Sequence, residues 1–452
     1  MMPAENEKIS PGHLYSACLI SVAKFGSRTE KGGKKCNQTK HQSLKSPLSQ
    51  SILKRPEIGR KKMLAQIKTA GAYIGLLTLF ISFIVSGLLL NGIQLCLWLT
   101  VKPISRGLYR KINYYLLTCL WNQVLLVIDW SGSAISVYTD TETWSKLGSE
   151  NALLIMNHSN ELDWLVAWVL GNQANILGNS KLFIKKAVEW IPIIGWAWKF
   201  AEIGFLERNW EKDKSTMDLF VKNLVEYEDP VWLLFFPEGT RFSKEKHDVS
   251  MEFAARKGLP HLKHLLIPRT RGFFAITQQL KQNFGAVYSG TLCFNTKLGA
   301  YPSLLNVFLG RPVFGEVFLE RIPFEDIPTE MDKSAEWLLN NFEKKDKLMD
   351  AYEKNGVFPT ALAAEDAKYF NGPIRCHYRP RSVLPFLLFC LWSSFCLPFM
   401  FNSVKWFLGT GFTSLMAVVF IFAISASFIY KLIDITLISR GSSYGKDVSV
   451  KE

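Results

Sequence analysis

The stretch IMNHSNELDW, residues 155–164, sets His158 five positions ahead of Asp163, and the following LDWLVAWVL is apolar except for that aspartate. A carboxylate inside such a run needs a partner, because unpaired burial forces protonation or costs several kcal/mol. His158 is the nearest candidate. Residues 151–156 read as a strand, and Ser159 or Asn160 can cap the helix that follows. His158 then stands at the strand-to-helix switch, with Asp163 in the first turns of the helix. Helical side chains lean toward the N-terminus, which aims Asp163 back at the loop carrying His158. A carboxylate on one imidazole nitrogen sets the tautomer and leaves the other nitrogen free as a base. A His–Asp pair that only stabilises a fold has the same spacing, so the pair alone does not decide between chemistry and structure.

Other residues share that setting. LLFFPEGTRFS (233–243) is a second buried strand, broken by Pro237 and followed by Glu238, Gly239, Thr240 and Arg241. Gly239 permits a tight turn, and Arg241 presents a planar fork suited to phosphate or carboxylate. Two further strand-like runs end in basic residues, IGFLERN at Arg208 and LLIPRTRG at Arg269 and Arg271. In an open α/β sheet, ligands bind beyond the carboxyl ends of the strands. His158, Arg208, Arg241 and Arg269 are therefore expected on one rim, a base beside a cluster able to hold a phosphate.

The ordered set NHSNELD, IGFLER, FPEGTR and LIPRTRG resembles the four motifs of the glycerolipid acyltransferases. The likeness extends from about Met63 to the tail. It is similar to the animal lysophosphatidic acid acyltransferases of the gamma and delta type in EGTRFSKEKHDVSMEFAARKGLP and the terminal GSSYG. One departure is Glu202, which stands where the family often has glycine at the start of the second motif. The resemblance implies that His158 takes the proton from the sn-2 hydroxyl of a lysophospholipid as that oxygen attacks the thioester of acyl-CoA. Asp163 would orient the imidazole, and Glu238, Gly239, Thr240 and Arg241, with Arg208 and Arg269, would bind the glycerol phosphate. Backbone N–H groups near a helix start could stabilise the oxyanion. It implies no metal and no cofactor, acyl-CoA being a co-substrate; the partners are the lysophospholipid acceptor and membrane lipids. KKAVEWIPIIGWAWKF (185–200) could hold an acyl chain or simply pack in the core.

The elements that must position these residues follow from composition. The chain has 452 residues, 48% hydrophobic and 13% aromatic, with a formal charge of +14. Residues 1–62 carry thirteen Lys and Arg against four acids, so the excess is concentrated in a tail expected to be disordered, and the remainder gives no support to nucleic-acid binding. From Met63 to Val101 the chain runs about thirty residues without a charge after Lys68, longer than the roughly 20 that cross a bilayer. A basic turn (Lys102, Arg106, Arg110, Lys111) leads to the apolar, aromatic 114–130, which reads as an interfacial or re-entrant helix. Residues 63–131 are thus expected as a membrane helix pair and 132–381 as an α/β catalytic domain, a mostly parallel sheet covered by helices. The segments 384–400 and 407–430 are expected to form a hydrophobic hairpin within 382–438, before a polar tail, 439–452. Acyl-CoA chemistry implies an active site on the cytosolic face of the endoplasmic reticulum, with the first helix pair dipping into the cytosolic leaflet; a spanning first helix with a lumenal site is the alternative.

Several patterns carry less. GSSYG (441–445) satisfies G-x-S-x-G, but that hydrolase elbow needs a strand before it and a helix after it, so Ser443 is not expected as a nucleophile. His261 and His264 lack a third ligand nearby in sequence and read as a surface pair. The eight cysteines have no C-x-x-C and read as packed thiols. Asn157–His158–Ser159 matches a glycosylation sequon, as does Asn37–Gln38–Thr39; a glycan beside the base would block it, so Asn157 is read as unmodified. A membrane-anchored serine hydrolase and a non-catalytic lipid-binding scaffold are the competing functions, and intact His158, Asp163 and Arg241 argue against the scaffold.

Overall fold

The computed structural model describes residues 75–207, 210–359, 373–378, 383–409 and 416. The tails 1–62 and 439–452, Arg208 and Ser443 therefore lie outside the described residues. Two helices open the described chain, α1 (Gly75–Thr100) and α2 (Arg106–Ser131), joined by a short turn. Ser105 caps α2 by accepting the Leu108 N–H, and Gly132, in the left-handed region, ends it. α1 is the one described helix whose length and composition suffice to cross a membrane.

The two helices run antiparallel and clasp each other through amides and hydroxyls. Ser86 donates to Gln123 Oε1 at 2.8 Å, and Gln94 donates to Asn113 Oδ1 at 2.6 Å. The Gln123 contact accounts for one of the polar breaks in 114–130, since a polar group hidden between helices requires a partner. Ile193, β-branched yet at φ +68°, presses its side chain where Gly87 of α1 has none. A side chain at Gly87 would collide with it.

An eight-stranded sheet follows, in the order β4-β3-β5-β2-β6-β7-β1-β8. Its strands are β1 (Ala134–Thr139), β2 (Ala152–Met156), β3 (Ser180–Lys185), β4 (Gly204–Leu206), β5 (Trp232–Phe235), β6 (Ala286–Phe294), β7 (Phe314–Pro323) and β8 (Arg375–Tyr378). The half from β4 to β6 is parallel, as is the β1–β7 pair, whereas β6–β7 and β1–β8 are antiparallel. The sheet is mixed but, as expected, mostly parallel, with five of its seven strand pairs running parallel. Both faces are covered, which is why β2 reads as a continuous apolar run. Leu154 and Met156 face one core with α2 and α4 (Asp163–Gln173); Leu153 and Ile155 face the other with α6 (Trp210–Val225), α7 (Lys244–Lys257), α8 (Thr270–Leu280) and α10 (Met331–Asn355). The remaining helices are α3 (Thr141–Lys146), α5 (Ile194–Phe200), α9 (Leu304–Phe308) and α11 (Val383–Gly409).

Two expectations need correction. HLLIP (264–268) is not a strand: the Leu266 and Ile267 N–H groups bond to the side chains of Glu238 and Ser250, not to a neighbouring strand. α11 continues without a break to Gly409, so the hairpin turn expected between 400 and 407 does not fall there. The second arm, 407–430, lies outside the described residues apart from its first turn and Met416.

Glu202, the unusual residue before β4, has φ +56°, a left-handed conformation that suits glycine and strains other residues. Its carboxylate meets Arg110 Nε at 2.8 Å and Lys102 Nζ at 2.9 Å. Burial alone would raise this carboxyl, but Lys102 and Arg110 hold it at about 2. The Tyr109 hydroxyl and the Asn113 amide both donate to the Phe200 carbonyl, two residues earlier. Three residues of α2 thus grip the chain just before β4. We expect Glu202→Gln, which strips the charge facing buried Arg110, to cost on the order of 3 kcal/mol. The thermal unfolding midpoint in detergent should fall by several degrees; an unchanged midpoint would show that the pairs add nothing.

Candidate active site

The carboxyl ends of β2, β5 and β6 lie side by side, and the site is assembled there. After β2, Asn157 is fully buried and exchanges two hydrogen bonds with the Leu292 backbone of β6, its Nδ2 donating at 3.0 Å and its Oδ1 accepting at 2.7 Å. A glycan has no room on that amide, in keeping with the unmodified reading. His158 comes next, half-buried, with Nδ1 2.9 Å from Asp163 Oδ2. Asp163 is wholly buried as the first residue of α4, and the same Oδ2 accepts the Asn160 N–H at 2.8 Å. The expected cap by Ser159 or Asn160 is not made; Asn160 turns its oxygen to the Leu162 N–H instead. Burial pushes the Asp163 carboxyl up, opposed by His158 and the N–H groups of Asn160 and Ser159. An imidazole that donates from Nδ1 to a buried carboxylate offers Nε2 as the acceptor. That is the geometry of an oriented general base.

The ring is held on a second side. Phe236, the residue after β5, stacks on it with centroids 4.3 Å apart. Pro237 to Arg241 then wrap round the loop, and the Phe242 N–H donates to the His158 carbonyl at 2.8 Å. Glu238 reaches beneath. Its Oε1 accepts the His158 N–H at 2.7 Å and its Oε2 the Leu266 N–H at 3.2 Å. Expected in the substrate-binding segment, Glu238 is fully buried with both oxygens turned to backbone, a clasp within the protein. Burial raises its carboxyl to about 8, against the pull of the two N–H donors.

Gly239 has two reasons to be glycine. Its φ is +69°, and a side chain there would lie 3.0 Å from Arg269 Nε. Arg269 is brought over the turn by its own N–H, which donates to the Pro237 carbonyl at 2.8 Å. Lys246 of α7 braces the same turn, donating to Thr240 Oγ1 at 2.9 Å and the Arg241 carbonyl at 3.1 Å. Thr240 is buried; Arg241 is half-buried and Arg269 exposed. His158, Arg241 and Arg269 therefore flank one turn, whereas Arg208 lies outside the described residues and its place is not assigned.

Sequence reasoning passed over Phe236, read Asn157 only as a sequon and Asn160 only as a cap, and gave Glu161 no role. The last two tie the loop to the segment before α9, through the Pro302 carbonyl at 2.9 Å and the Leu304 N–H at 2.7 Å. A polar cluster directly after an all-apolar strand was the available signal. His264, expected as half of a surface pair with His261, instead meets Asp350 at 3.4 Å and Glu353 at 3.8 Å. Lys263 and Lys354 already engage Asp350, and Asp346 accepts the backbone N–H groups of Lys263 and His264. The cluster reads as a surface ion-pair network that fastens this loop to α10.

Comparison with known proteins agrees with this architecture. Residues 136–289 match the family model described as acyltransferase, and residues 306–392 match that described as acyltransferase C-terminus. The 1-acyl-sn-glycerol-3-phosphate acyltransferase gamma of Homo sapiens is 38% identical over 80% of this chain and 93% of its own length. The Mus musculus gamma protein is 38% identical over 85% of this chain and 97% of its own. The Bos taurus delta protein is 37% identical over 80% of this chain and 92% of its own. With the His158–Asp163 pair and the 236–241 turn at the head of such a sheet, the chain belongs to the glycerolipid acyltransferase family, among the relatives of its gamma and delta 1-acyl-sn-glycerol-3-phosphate acyltransferases.

Proposed function

We propose that this acyltransferase moves an acyl group from acyl-CoA to the sn-2 hydroxyl of 1-acylglycerol-3-phosphate, giving phosphatidic acid, with His158 as the base. One observation carries the mechanism: His158 Nδ1 lies 2.9 Å from a buried carboxylate beside the 236–241 turn. His158 Nε2 accepts the hydroxyl proton as the oxygen attacks the thioester carbonyl. The C–S bond then breaks, and the same proton passes to the departing thiolate. Asp163 orients the ring and offsets the imidazolium that forms. The Asn160 and Leu162 N–H groups are already engaged, so other donors stabilise the oxyanion. Arg241 and Arg269, the latter over Gly239, hold the phosphate, with Arg208 as a further candidate. The substrate assignment rests on the named activity of the gamma and delta relatives.

Purified protein given acyl-CoA and lysophosphatidate, with product read by mass, tests this directly. Replacing His158 by alanine should lower turnover by about 10²–10⁴-fold. Asp163→Asn should impair it comparably by setting the wrong tautomer. Retention of most activity by folded His158→Ala protein would remove His158 from the chemistry.

Arg241→Lys keeps the charge and loses the fork. The KM for lysophosphatidate should rise by more than that for acyl-CoA. A change confined to acyl-CoA would place Arg241 against the other substrate.

For location we propose an endoplasmic reticulum membrane protein with residues 132–381 in the cytosol, where acyl-CoA is held. The basic turn gives this less support than its charge suggests, because Lys102, Arg106 and Arg110 face Glu202 and Glu226. Protease added to sealed microsomes should cut within 244–260. Protection of that region until detergent is added would reverse the orientation.

A further inference from the structure

α10 lies in the segment matched by the separate C-terminal family model, and one of its faces reaches the back of the active-site strands. Asn341 accepts a hydrogen bond from Ser289 Oγ of β6 at 3.0 Å. One turn on, the Lys345 side chain is fully buried, and its Nζ donates to the carbonyls of Gly290 at 2.6 Å and Ile155 at 3.4 Å. A further turn on, Met349 Sδ is 3.8 Å from the Asn157 amide. Ile155 and Asn157 belong to the stretch that ends at His158, so α10 touches the base's own strand and loop from behind.

A lysine is a costly choice for such a place, since an ammonium without water needs carbonyl oxygens and a counter-charge. The two carbonyls supply the first. The charges that act on it are those of Glu320 on β7 and Glu238 on the turn after β5, with the neighbouring Lys344 opposing them. Lys344 is itself paired with Glu320 at 2.9 Å, which leaves Glu238 as the acid without a cation of its own among these. Burial pushes Lys345 down to about 7, while Glu320 and Glu238 resist. Burial raises Glu238, and Asp163 adds to that rise, while the His158 and Leu266 N–H groups and Lys345 oppose it. Geometry favours the anion at Glu238. Both of its oxygens receive an N–H, and a proton on either would face a donor and break one clasp.

We propose that Lys345 is a positioning residue for acyl transfer, holding Glu238 ionised from behind the sheet so that the His158 loop and the 236–241 turn stay clasped. The inference rests on the reading of His158 as the base. On that footing, the acid limb of the pH–kcat profile reports protonation of Glu238 as well as of His158, and loss of the Lys345 charge makes Glu238 easier to protonate.

Lys345→Met removes charge and donors at similar volume; Lys345→Gln keeps a donor and is the variant of choice should Met impair folding. Per folded enzyme, either should lower kcat at neutral pH about tenfold and leave both KM values within about twofold. The acid limb should move up by about one pH unit. In a Glu238→Gln background the same changes should move the limb no further, because the group they act through is gone. A loss uniform across pH, or an equal displacement in the Glu238→Gln background, would overturn the inference and reduce Lys345 to packing. Failure of the wild-type protein to transfer acyl groups, or activity surviving in His158→Ala, would instead remove the underlying reading of the base.

Discussion

The site depends on one buried carboxylate. Glu238 accepts backbone N–H groups from residues 80 and 28 positions away in the chain, His158 and Leu266, and so joins the ends of the paired strands β2 and β5 to a third segment outside the sheet. Charge-assisted bonds of this kind are about twice as strong as neutral ones. They are also conditional, since burial opposes the charge that makes them strong. The His158 and Leu266 N–H groups and the Lys345 charge oppose that effect of burial, and Asp163 adds to it. With the clasp in place, Phe236 is stacked on the imidazole and Arg269 is laid across Gly239. His158, after β2, and Arg269, on the segment beyond Leu266, then flank the same turn.

The opposite end of the sheet is governed by a comparable exchange. Glu202 accepts a strained φ for the sake of Lys102 and Arg110, and α2 is thereby fixed to the segment leading into β4. The carboxylate makes this joint a charged anchor. The helix pair and the sheet edge are therefore one mechanical unit, and the basic turn that a membrane reading would assign to lipid is largely spent on protein contacts. α10 works in the same way from the other face, where a lysine spends its ammonium on strand carbonyls.

Much of this was legible in the residues. ALLIM is β2 residue for residue, and VWLLFF and IGFL contain β5 and β4, because runs buried on both faces leave a continuous apolar signal. His158 and Asp163 could be paired on paper because both lie within one strand-to-helix turn, where spacing alone sets direction. HLLIP misled for the same reason that ALLIM did not. Its apolar run is buried, but its N–H groups go to side chains, and hydropathy does not distinguish those partners. Lys345 did leave a trace, standing on the same helical stripe as Leu338, Phe342 and Leu348. Among the lysines of FEKKDKLMD, that trace is easily taken for a solvated face.

What depends on near neighbours along the chain was readable from the residues: β2, β4 and β5 of the parallel half, the facing His–Asp pair, the tight turn at Gly239 and the four-motif resemblance. Tertiary structure decided what depends on long-range partners. The mixed sheet is one case, since β6 and β7 pair in a direction that no local pattern encodes. Glu238 is the other. In the sequence it is one more acid in a turn, open to a substrate role; in the fold both its oxygens meet N–H groups from remote segments, and only their convergence makes it the clasp beneath the base. The reason is physical: periodicity records which side of an element is dry, but the partner of a buried charge is set by where the chain returns.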